Sequence, residues 1–534
     1  MSREDRSILI IAFMLNLGVA IFLLWQTGAV TTDALARTAN AYYVVNSRDP
    51  HLGAIGFVWN PLPSLLQIPL VVSRPLAKSG LAGSVISSIF GALSVVSLNN
   101  IFRHYGLKRG LRYILLLLFQ LNPMILLYSA NGMSEIILIY FLIFCSHRFL
   151  QWLQTGRLRY FILLSLGVSL ALYVRYEAYL YAAALFVVLL VLMIKQPDFD
   201  AERMEGTLLT YLAPIAYAGM LWPFVNWLVM GDPFHFLRSV YANYAQTAVF
   251  RERVFRWPWL IDAIGSPIGT ARYCLRMMAA EHLFFFIISF LILILLLRTR
   301  KVEYLALLAS AYTTPFFASV MIFRGQSYAW FRFFIYVIPM SFILLGAFLR
   351  YFAALRPRGR VNWLYGASIF LILVSNVLTG LAMANPEYGR EEHLLIDNLL
   401  WQTPIPDFDS IGTLKEEKEI ANYIDTHHRG ERILLDSARG FPIVLAVENP
   451  KDLIITSDRD YEAILLQPVG FADYFLIPSP DTPTGLKDSI NQLYPDAWEE
   501  GAEFLSLEVD FGGNQGWRLF KVVDPLQEKE EEGT

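Results

Sequence analysis

The amino-acid sequence predicts an all-α polytopic membrane domain of about eleven transmembrane helices, followed by a small soluble α/β domain. Three observations predict this architecture. Hydrophobic residues make up 55% of the 534 residues and charged residues only 17%, whereas soluble proteins carry about a quarter. Apolar runs long enough to span a bilayer recur as far as residue 383. The rest of the chain is polar and acidic.

The charge balance changes at the same place. Residues 1–383 hold 31 Lys and Arg against 15 Asp and Glu, whereas residues 384–534 hold 12 against 31. We therefore predict a transmembrane domain at 1–384, an extracytoplasmic soluble domain at 385–526 and a disordered acidic tail at 527–534. Two cysteines cannot form a disulfide framework, and no feature indicates a nucleic-acid partner.

The membrane spans follow from the apolar runs. We predict spans at 7–25, 81–102, 113–128, 135–153, 160–174, 178–194, 207–230, 282–297, 303–323, 333–349 and 363–383. Most short loops rich in Lys and Arg then fall on one side, which the positive-inside rule makes cytoplasmic. The protein is thus expected to be a multi-pass cell-membrane protein with its C-terminal domain outside.

One apolar segment, 61–72, does not fit a span. It is short and contains Pro61, Pro63 and Pro69. Counting it as a span would invert every later loop, so we expect an interfacial or re-entrant helix on the outer side. Two large outer loops result, at 26–80 and at 231–281.

The soluble region shows short-period patterns. Residues 414–426 predict a helix, because apolar positions recur at helical spacing. Short apolar runs predict strands at 433–435, 443–447, 453–456, 474–477 and 517–523.

Two acids stand at predicted outer helix ends. Asp33 lies just beyond the first span, and Glu135 opens the fourth. A carboxylate there could take the proton of a hydroxyl acceptor. It could equally stabilise a helix start, with Thr32 or Asp33 as the cap in one case and Ser134 in the other. Few acids occur in the membrane body, and ionisable groups at membrane depth tend to be functional.

Basic side chains occur on the same predicted side. Arg175 and Glu177 are two apart, a spacing at which helical residues do not face each other, so Arg175 is expected to meet another element or an anionic ligand. Anchoring at the interface is the alternative. Arg324 and Arg332 flank a short outer loop, and guanidinium groups suit phosphate oxygens. We interpret Arg324 as an interfacial anchor and Arg332 as facing a cavity.

These features occur in an order that resembles the GT-C class of integral membrane glycosyltransferases, close to its protein O-mannosyltransferase and aminoarabinose-transferase branch. The resemblance covers about the first 350 residues. It rests on Asp33, Trp59-Asn60-Pro61-Leu62-Pro63, the basic loop 103–112, Asn122-Pro123, Gly132-Met133-Ser134-Glu135, Arg175-Tyr176-Glu177, Gly231-Asp232-Pro233, and Arg332 leading to Pro339.

The resemblance implies transfer of a sugar from a polyprenyl-phosphate-linked donor to an extracytoplasmic acceptor, with inversion at the anomeric carbon. Asp33 would be the catalytic base and Glu135 the second acid of the site. Arg332 would hold the lipid phosphate as charge develops on it. The other residues expected to bind substrate are Arg175, Glu177, Arg37, Tyr42 and Asn60. The implied partners are the donor, membrane lipids and the acceptor, which is a lipid, a glycan or a protein.

Two departures leave part of this open. Many relatives carry an arginine early in the second span, where this sequence has Gly83-Ser84-Val85-Ile86-Ser87. Some relatives have adjacent acids in the first loop, whereas Ala34 follows Asp33. The acceptor class and the metal requirement therefore stay open: no cofactor is assigned, and a divalent metal remains an option.

Two other functions compete with the enzyme. A transporter or flippase would place its binding groups near the bilayer midplane, often in repeated halves, and no repeat is visible here. A membrane scaffold displaying a binding domain would not need Asp33 and Glu135 on the same side. The position of the acids favours the enzyme.

Overall fold

The computed structural model describes residues 1–195, 200–239, 242, 258–355, 358–406, 410–482, 485–513 and 516–524. The chain forms two compact units, each built from separated segments. The first unit comprises Met1–Leu23, Phe57–Pro63 and Ser84–Thr403; the second comprises Leu24–Gly56, Ser64–Gly83 and Pro404–Thr534. A functional division near residue 384 stays a prediction, and the predicted disordered tail at 527–534 lies outside the described residues.

The first unit is helical, as its long apolar runs predict. Its helices are Arg3–Thr27, Leu81–His104, Arg109–Gln120, Pro123–Tyr128, Glu135–Thr155, Leu158–Leu172, Glu177–Lys195, Ala201–Met230, His235–Arg238, Pro258–Ile261, Pro267–His282, Phe284–Thr299, Val302–Phe323, Val337–Leu355, Arg358–Met383 and Glu392–Trp401. A 3₁₀ turn, Phe331–Phe334, leads into the helix that follows it.

Eight of the described helices are long and apolar enough to cross a membrane, and a ninth span results if the bent pair at 267–299 counts as one. The protein is therefore a multi-pass membrane protein. The other two predicted spans are shorter elements. Residues 113–128 are interrupted at Asn122, which accepts hydrogen bonds from the amides of Met124 and Ile125 and so starts a new helix. The span predicted at 160–174 is a helix of 15 residues, Leu158–Leu172.

The proline-rich segment forms no spanning helix. It folds into three short helices, Leu62–Leu65, Ile68–Val71 and Arg74–Lys78, of four or five residues each. Proline lacks the amide hydrogen that a continuous helix needs, which explains the interruptions. None of the three is long enough to cross a bilayer.

The second unit contains a five-stranded mixed sheet with the order β4-β3-β5-β7-β6. The parallel strands β3 (Ile433–Leu435), β4 (Leu453–Ile455) and β5 (Tyr474–Ile477) are buried at every position, as strands covered on both faces must be. The antiparallel hairpin β6 (Leu505–Gly512) and β7 (Trp517–Val522) extends the sheet beside β5. A separate pair joins β1 (Val30–Thr31) to β2 (Ile411–Gly412).

Helices cover both faces of this sheet. One apolar core joins it to Thr32–Asn46, Lys415–His427 and Ser437–Ala446. A second core joins the opposite face to Tyr461–Leu466, Ser489–Leu493 and Ala497–Glu500. Neighbouring strand residues alternate between the two cores, as the two-residue period of a strand requires.

Two predictions for the second unit were wrong. Residues 443–446 belong to the helix Ser437–Ala446 and Val447 is its C-terminal cap, because Asp436 caps a helix start by accepting the Ala438 amide hydrogen. A short apolar run does not by itself distinguish a buried helix from a strand. The strand β6 was missed, although Leu505, Leu507, Val509 and Phe511 alternate with polar residues. The helix predicted at 414–426 is confirmed as Lys415–His427.

Candidate active site

Glu135 begins a helix of the first unit and is completely buried. The loop before it is held by Ser87, whose hydroxyl donates to the carbonyl of Ser129 and accepts from the amide of Gly132. Gly132 has a φ of 81°, a conformation that favours glycine. Ser87 therefore positions the loop before Glu135. Ser134 makes no capping hydrogen bond, contrary to the capping interpretation.

Arg175 connects two acids. Its Nη1 donates to Glu135 Oε1 at 2.8 Å, and its Nη2 donates to Glu177 Oε1 at 2.8 Å. The prediction that Arg175 meets another element is confirmed. The expectation that Arg175 and Glu177 do not face each other was wrong, because the helix begins only at Glu177 and the helical spacing rule does not apply to the preceding turn.

Arg332 approaches the same carboxylate from the 3₁₀ turn. Its Nε lies 3.5 Å from Glu135 Oε1, and its Nη1 donates to Glu391 Oε2 at 2.6 Å. The side chains of Arg332 and Glu391 are 5% and 3% exposed. Two guanidinium groups thus meet on one oxygen of Glu135. Its other oxygen, Oε2, has no hydrogen-bond partner among the described residues.

Further acids lie in this cluster that the sequence did not single out. Glu391 and Glu392 follow the last spanning helix, and the Tyr128 hydroxyl donates to Glu392 Oε1 at 2.7 Å. Burial raises the pKa of the Glu392 carboxyl and so favours its neutral form. Glu281 is also fully buried, where two helices meet at a bend of 104°. The sequence feature that could have indicated Glu391 and Glu392 is the pair of adjacent acids after the last membrane span.

Asn60 holds the Arg175 turn in place. Its side-chain amide donates to the carbonyl of Leu172 at 2.6 Å. The Leu62 amide donates to the carbonyl of Tyr173, and the Tyr176 hydroxyl donates to the carbonyl of Val58. The described contacts of Asn60 are thus with the protein backbone, which suits a positioning role.

An apolar cleft of about 270 Å³ lies beside this turn. It is bounded by the helices Leu158–Leu172, Glu177–Lys195 and Ala201–Met230. Its lining includes Leu172, three residues before Arg175, and Tyr179, two residues after Glu177. Its lining consists of Leu172, Tyr179, Ala182, Ala183, Phe186, Tyr211, Leu212, Ile215 and Gly219.

Asp33, Arg37 and Tyr42 belong to the second unit. Asp33 lies in the first turn of the helix Thr32–Asn46, whose N-terminal cap, Thr31, makes no side-chain capping bond. Arg37 follows on the same helix face, four residues later. Tyr42 is 3% exposed and packs in the apolar core of this unit. The roles of all three stay predictions.

Among the described residues, the cluster has carboxylate oxygens without a hydrogen-bond partner on Glu135 and Glu281, which could serve a divalent metal. Glu135 Oε2 is a hard oxygen without a partner among the described residues, as calcium and magnesium prefer. However, the described part of the chain contains no group of three or more His, Cys, Asp or Glu placed to hold a metal ion. The described residues therefore do not form a metal site by themselves.

Several solved structures share this fold. ArnT from Cupriavidus metallidurans in the apo state matches with a TM-score of 0.51 and 13% identity, over 95% of this chain and 97% of that one. The oligosaccharyltransferase AglB from Archaeoglobus fulgidus, in complex with an inhibitory peptide and a dolichol-phosphate, matches with a TM-score of 0.50 and 11% identity, over 96% and 74%. No protein-family model and no curated protein sequence matches the chain. The protein has the fold of the GT-C class of integral membrane glycosyltransferases, as the sequence resemblance predicted.

Proposed function

We propose that the protein transfers a sugar from a polyprenyl-phosphate-linked donor to an extracytoplasmic acceptor. The observation that carries this proposal is the meeting of two arginines, the partly buried Arg175 and the buried Arg332, on Glu135, with an apolar cleft beside the Arg175 turn. Guanidinium groups bind phosphate oxygens, and an apolar cleft accepts an isoprenoid chain. A polyprenyl phosphate combines both chemistries in one molecule.

The reaction is a displacement at the anomeric carbon. The acceptor oxygen forms a bond to that carbon, and the bond from the carbon to the phosphate oxygen breaks, so the configuration inverts. The acceptor proton goes to a carboxylate, for which Asp33 is the candidate that the resemblance supplies. Arg332 stabilises the charge that grows on the departing phosphate.

Glu135 orients the two arginines through one oxygen. Its other oxygen can accept a hydrogen bond from a substrate hydroxyl. The pair Arg332–Glu391 must open, at least in part, before phosphate can bind the Arg332 Nη1 donor. Glu391 is thus the side chain that a bound donor displaces.

Accumulation of the unused lipid-linked sugar in cells that lack the protein tests the proposal, whichever sugar is transferred. A strain from which the gene is deleted should accumulate a polyprenyl-phosphate sugar, detectable in lipid extracts by negative-ion mass spectrometry. Complementation with the wild-type gene should remove it. Asp33→Asn should fail to do so at normal membrane levels, because loss of a general base costs about 100-fold or more. Arg332→Lys should also fail, because lysine lacks the planar guanidinium that binds two phosphate oxygens together.

Arg324→Gln is the matched control. Arg324 is an exposed arginine eight residues before Arg332, and its loss should leave donor consumption unchanged. Full complementation by Asp33→Asn would contradict the assigned base. Full complementation by Arg332→Lys would show that the planar guanidinium is not required at this position.

A transporter or flippase remains the second candidate, and one observation favours it. The helices Pro267–His282 and Phe284–Thr299 form a bent pair with the buried Glu281 at the break, and broken helices are typical of transporter sites. Membrane vesicles loaded with the accumulated lipid distinguish the two functions. Release of free polyprenyl phosphate requires transfer, whereas movement of the intact lipid between leaflets does not.

A further inference from the structure

The helix that carries Asp33 is part of the apolar core of the second unit. Leu35, Ala39 and Tyr43 are almost fully buried, at 3%, 0% and 2% exposure. They lie in one cluster with residues from the far end of the chain, including Ile433, Phe441, Val444 and Trp517. A helix of 15 residues is marginal in isolation, so this packing supplies most of its stability.

The start of the helix is fixed by a segment just after residue 409. Val30 pairs with Gly412, and Thr31 pairs with Ile411, in the two-residue antiparallel bridge β1–β2. Thr32 then donates twice to the carbonyl of Ser410, from its amide at 2.8 Å and from its hydroxyl at 3.0 Å. Asp33 is the next residue. Its backbone position is therefore set by contacts with the C-terminal domain.

The end of the helix is fixed by reciprocal ion pairs, which we call the Arg–Asp clasp. Arg48 Nε donates to Asp458 Oδ2 at 3.1 Å, and its Nη2 also pairs with Asp460. Asp49 accepts from the guanidinium of Arg459 through both oxygens, at 2.8 Å and 2.5 Å. The clasp consists of Arg48, Asp49, Asp458, Arg459 and Asp460, and bidentate pairs of this kind are the geometrically specific ones.

The short helices of residues 62–78 contact both the middle of the helix Thr32–Asn46 and the C-terminal domain. The Thr38 hydroxyl donates to Gln67 Oε1 at 2.7 Å in a buried environment. Lys78 Nζ donates to the carbonyl of Ala446 at 2.6 Å, and Arg74 donates to the carbonyl of Val447. Three separated segments of the chain therefore fold as one body around the Asp33 helix.

From these contacts we infer that the C-terminal domain is a positioning element for Asp33, with Thr32 as its direct positioning residue. The inference rests on the proposed function for the role of Asp33. The domain supplies the Ser410 carbonyl at one end of the helix, the clasp at the other end and the apolar core between them. A domain that only covered the membrane unit or captured an acceptor would need none of these three attachments.

Hydrogen exchange of the full-length protein in nanodiscs, followed by mass spectrometry, tests the attachment without any substrate. In the double variant Arg48→Ala/Asp49→Ala, the amides of residues 34–46 should exchange about tenfold faster, because local opening becomes easier. Peptides from the membrane helix Glu135–Thr155 should not change. Asp510→Ala is the matched control, since it removes another exposed Arg–Asp pair of the same domain, with Arg518.

Unchanged exchange of residues 34–46 in the double variant would overturn the inference about the clasp. Equal acceleration in Asp510→Ala would also overturn it, because any exposed pair would then have the same effect. Neither outcome depends on catalysis, so failure here is distinct from failure of the proposed function.

Thr32 variants test the positioning role by activity. Thr32→Val keeps the shape and the backbone amide but removes the hydroxyl donor to Ser410, whereas Thr32→Ser keeps the donor. Membranes from the deletion strain supply the sugar-carrying lipid. The Thr32→Val protein should consume this lipid about tenfold more slowly than the wild type, since small misplacements of catalytic groups are costly. Binding of decaprenyl phosphate should be unchanged, and Thr32→Ser should restore the rate. Wild-type turnover by Thr32→Val, or a loss that Thr32→Ser does not restore, would overturn the role of Thr32.

Discussion

Arg332 and Glu391 form an ion pair of 2.6 Å in which both side chains are nearly excluded from solvent. Burying two charges is costly, and it is tolerated only where geometry and further hydrogen bonds compensate for the lost hydration. Arg332 gains such compensation from Glu135 and from the faces of Trp330 and Phe333. Under the proposed function, the pair occupies one of the Arg332 guanidinium donors that a phosphate would contact.

Replacing Glu391 by Gln should therefore strengthen phosphate binding. The variant Glu391→Gln keeps an acceptor for Arg332 but removes a negative charge that competes with the ligand. Decaprenyl phosphate should bind about five- to thirtyfold more tightly, which corresponds to about 1–2 kcal/mol. Titration in nanodiscs measures this. Glu387→Gln, at an exposed acid paired with Arg276, is the control and should bind as the wild type does. Weaker binding by Glu391→Gln would contradict the displacement of Glu391 by the donor.

Filling the apolar cleft should weaken binding of the isoprenoid chain. Gly219 lines the cleft, and a Cβ there would meet only the Tyr179 ring, at 3.8 Å, so Gly219→Leu should fold. The added leucine side chain fills space that the isoprenoid chain would occupy, so affinity for decaprenyl phosphate should fall about tenfold or more. Gly206→Leu lies on the same helix, where a Cβ meets nothing within 4 Å, and should have no effect. Equal affinities of the two variants would exclude this cleft as the chain site.

Removing the Ser87 hydroxyl should loosen the loop before Glu135. Ser87→Ala leaves the buried amide of Gly132 without its partner, which costs about 1–3 kcal/mol. The apparent unfolding temperature in detergent should fall, and donor consumption should slow. Ser94→Ala provides the comparison, because the Ser94 hydroxyl bonds to Phe90 of its own helix. If both variants were equally stable and active, Ser87 would have no positioning role.

Within the Arg–Asp clasp, the Asp49–Arg459 pair should resist mild acid. The Arg459 guanidinium hydrogen-bonds to Asp49 and holds the pKa of that carboxyl well below its usual value near 4. A carboxyl whose folded pKa is lowered stabilises the fold above the ordinary pKa, and this contribution is lost only as pH falls through the lowered value. Burial raises the pKa of Asp458 in the same clasp, so the Asp49 pair is measured as the ratio of the exchange rates of residues 34–46 in Arg459→Ala and in the wild type. This ratio should be equal at pH 7 and pH 4.5.

In Arg459→Ala, the Asp49 carboxyl should have its ordinary pKa in the folded state as in the unfolded state. The pair then stabilises the fold at no pH, so exchange should be faster than in the wild type at pH 7 and at pH 4.5 alike. A ratio of exchange rates that falls towards one between pH 7 and pH 4.5 would contradict the lowered pKa of Asp49.

Local sequence patterns were sufficient to predict most of the helices and strands. Continuous apolar runs predicted the long helices, such as Glu135–Thr155, because spanning a bilayer demands length and hydrophobicity that are visible in a linear sequence. The prolines at 61, 63 and 69 predicted that no long helix forms there. The ordered polar motifs predicted the GT-C fold, which the solved structures confirm at the level of fold alone.

Pairings between distant residues were not available from local patterns. Glu391 contributes to the polar cluster only because its carboxylate reaches Arg332, 59 residues earlier. The contact of Arg175 with Glu177 depended on where the helix begins, and helix boundaries are set by backbone partners that composition does not reveal.

The sequence by itself determined the membrane class, the basic and acidic halves, and the residue types able to bind a phosphate and accept a proton. Only the tertiary structure decided that the helix Thr32–Asn46 belongs to the same compact unit as residues more than 370 positions later, such as Ser410. The physical reason is that hydropathy and periodicity act over one or two helical turns. Burial and ion pairing, in contrast, depend on which surfaces meet when the whole chain has packed.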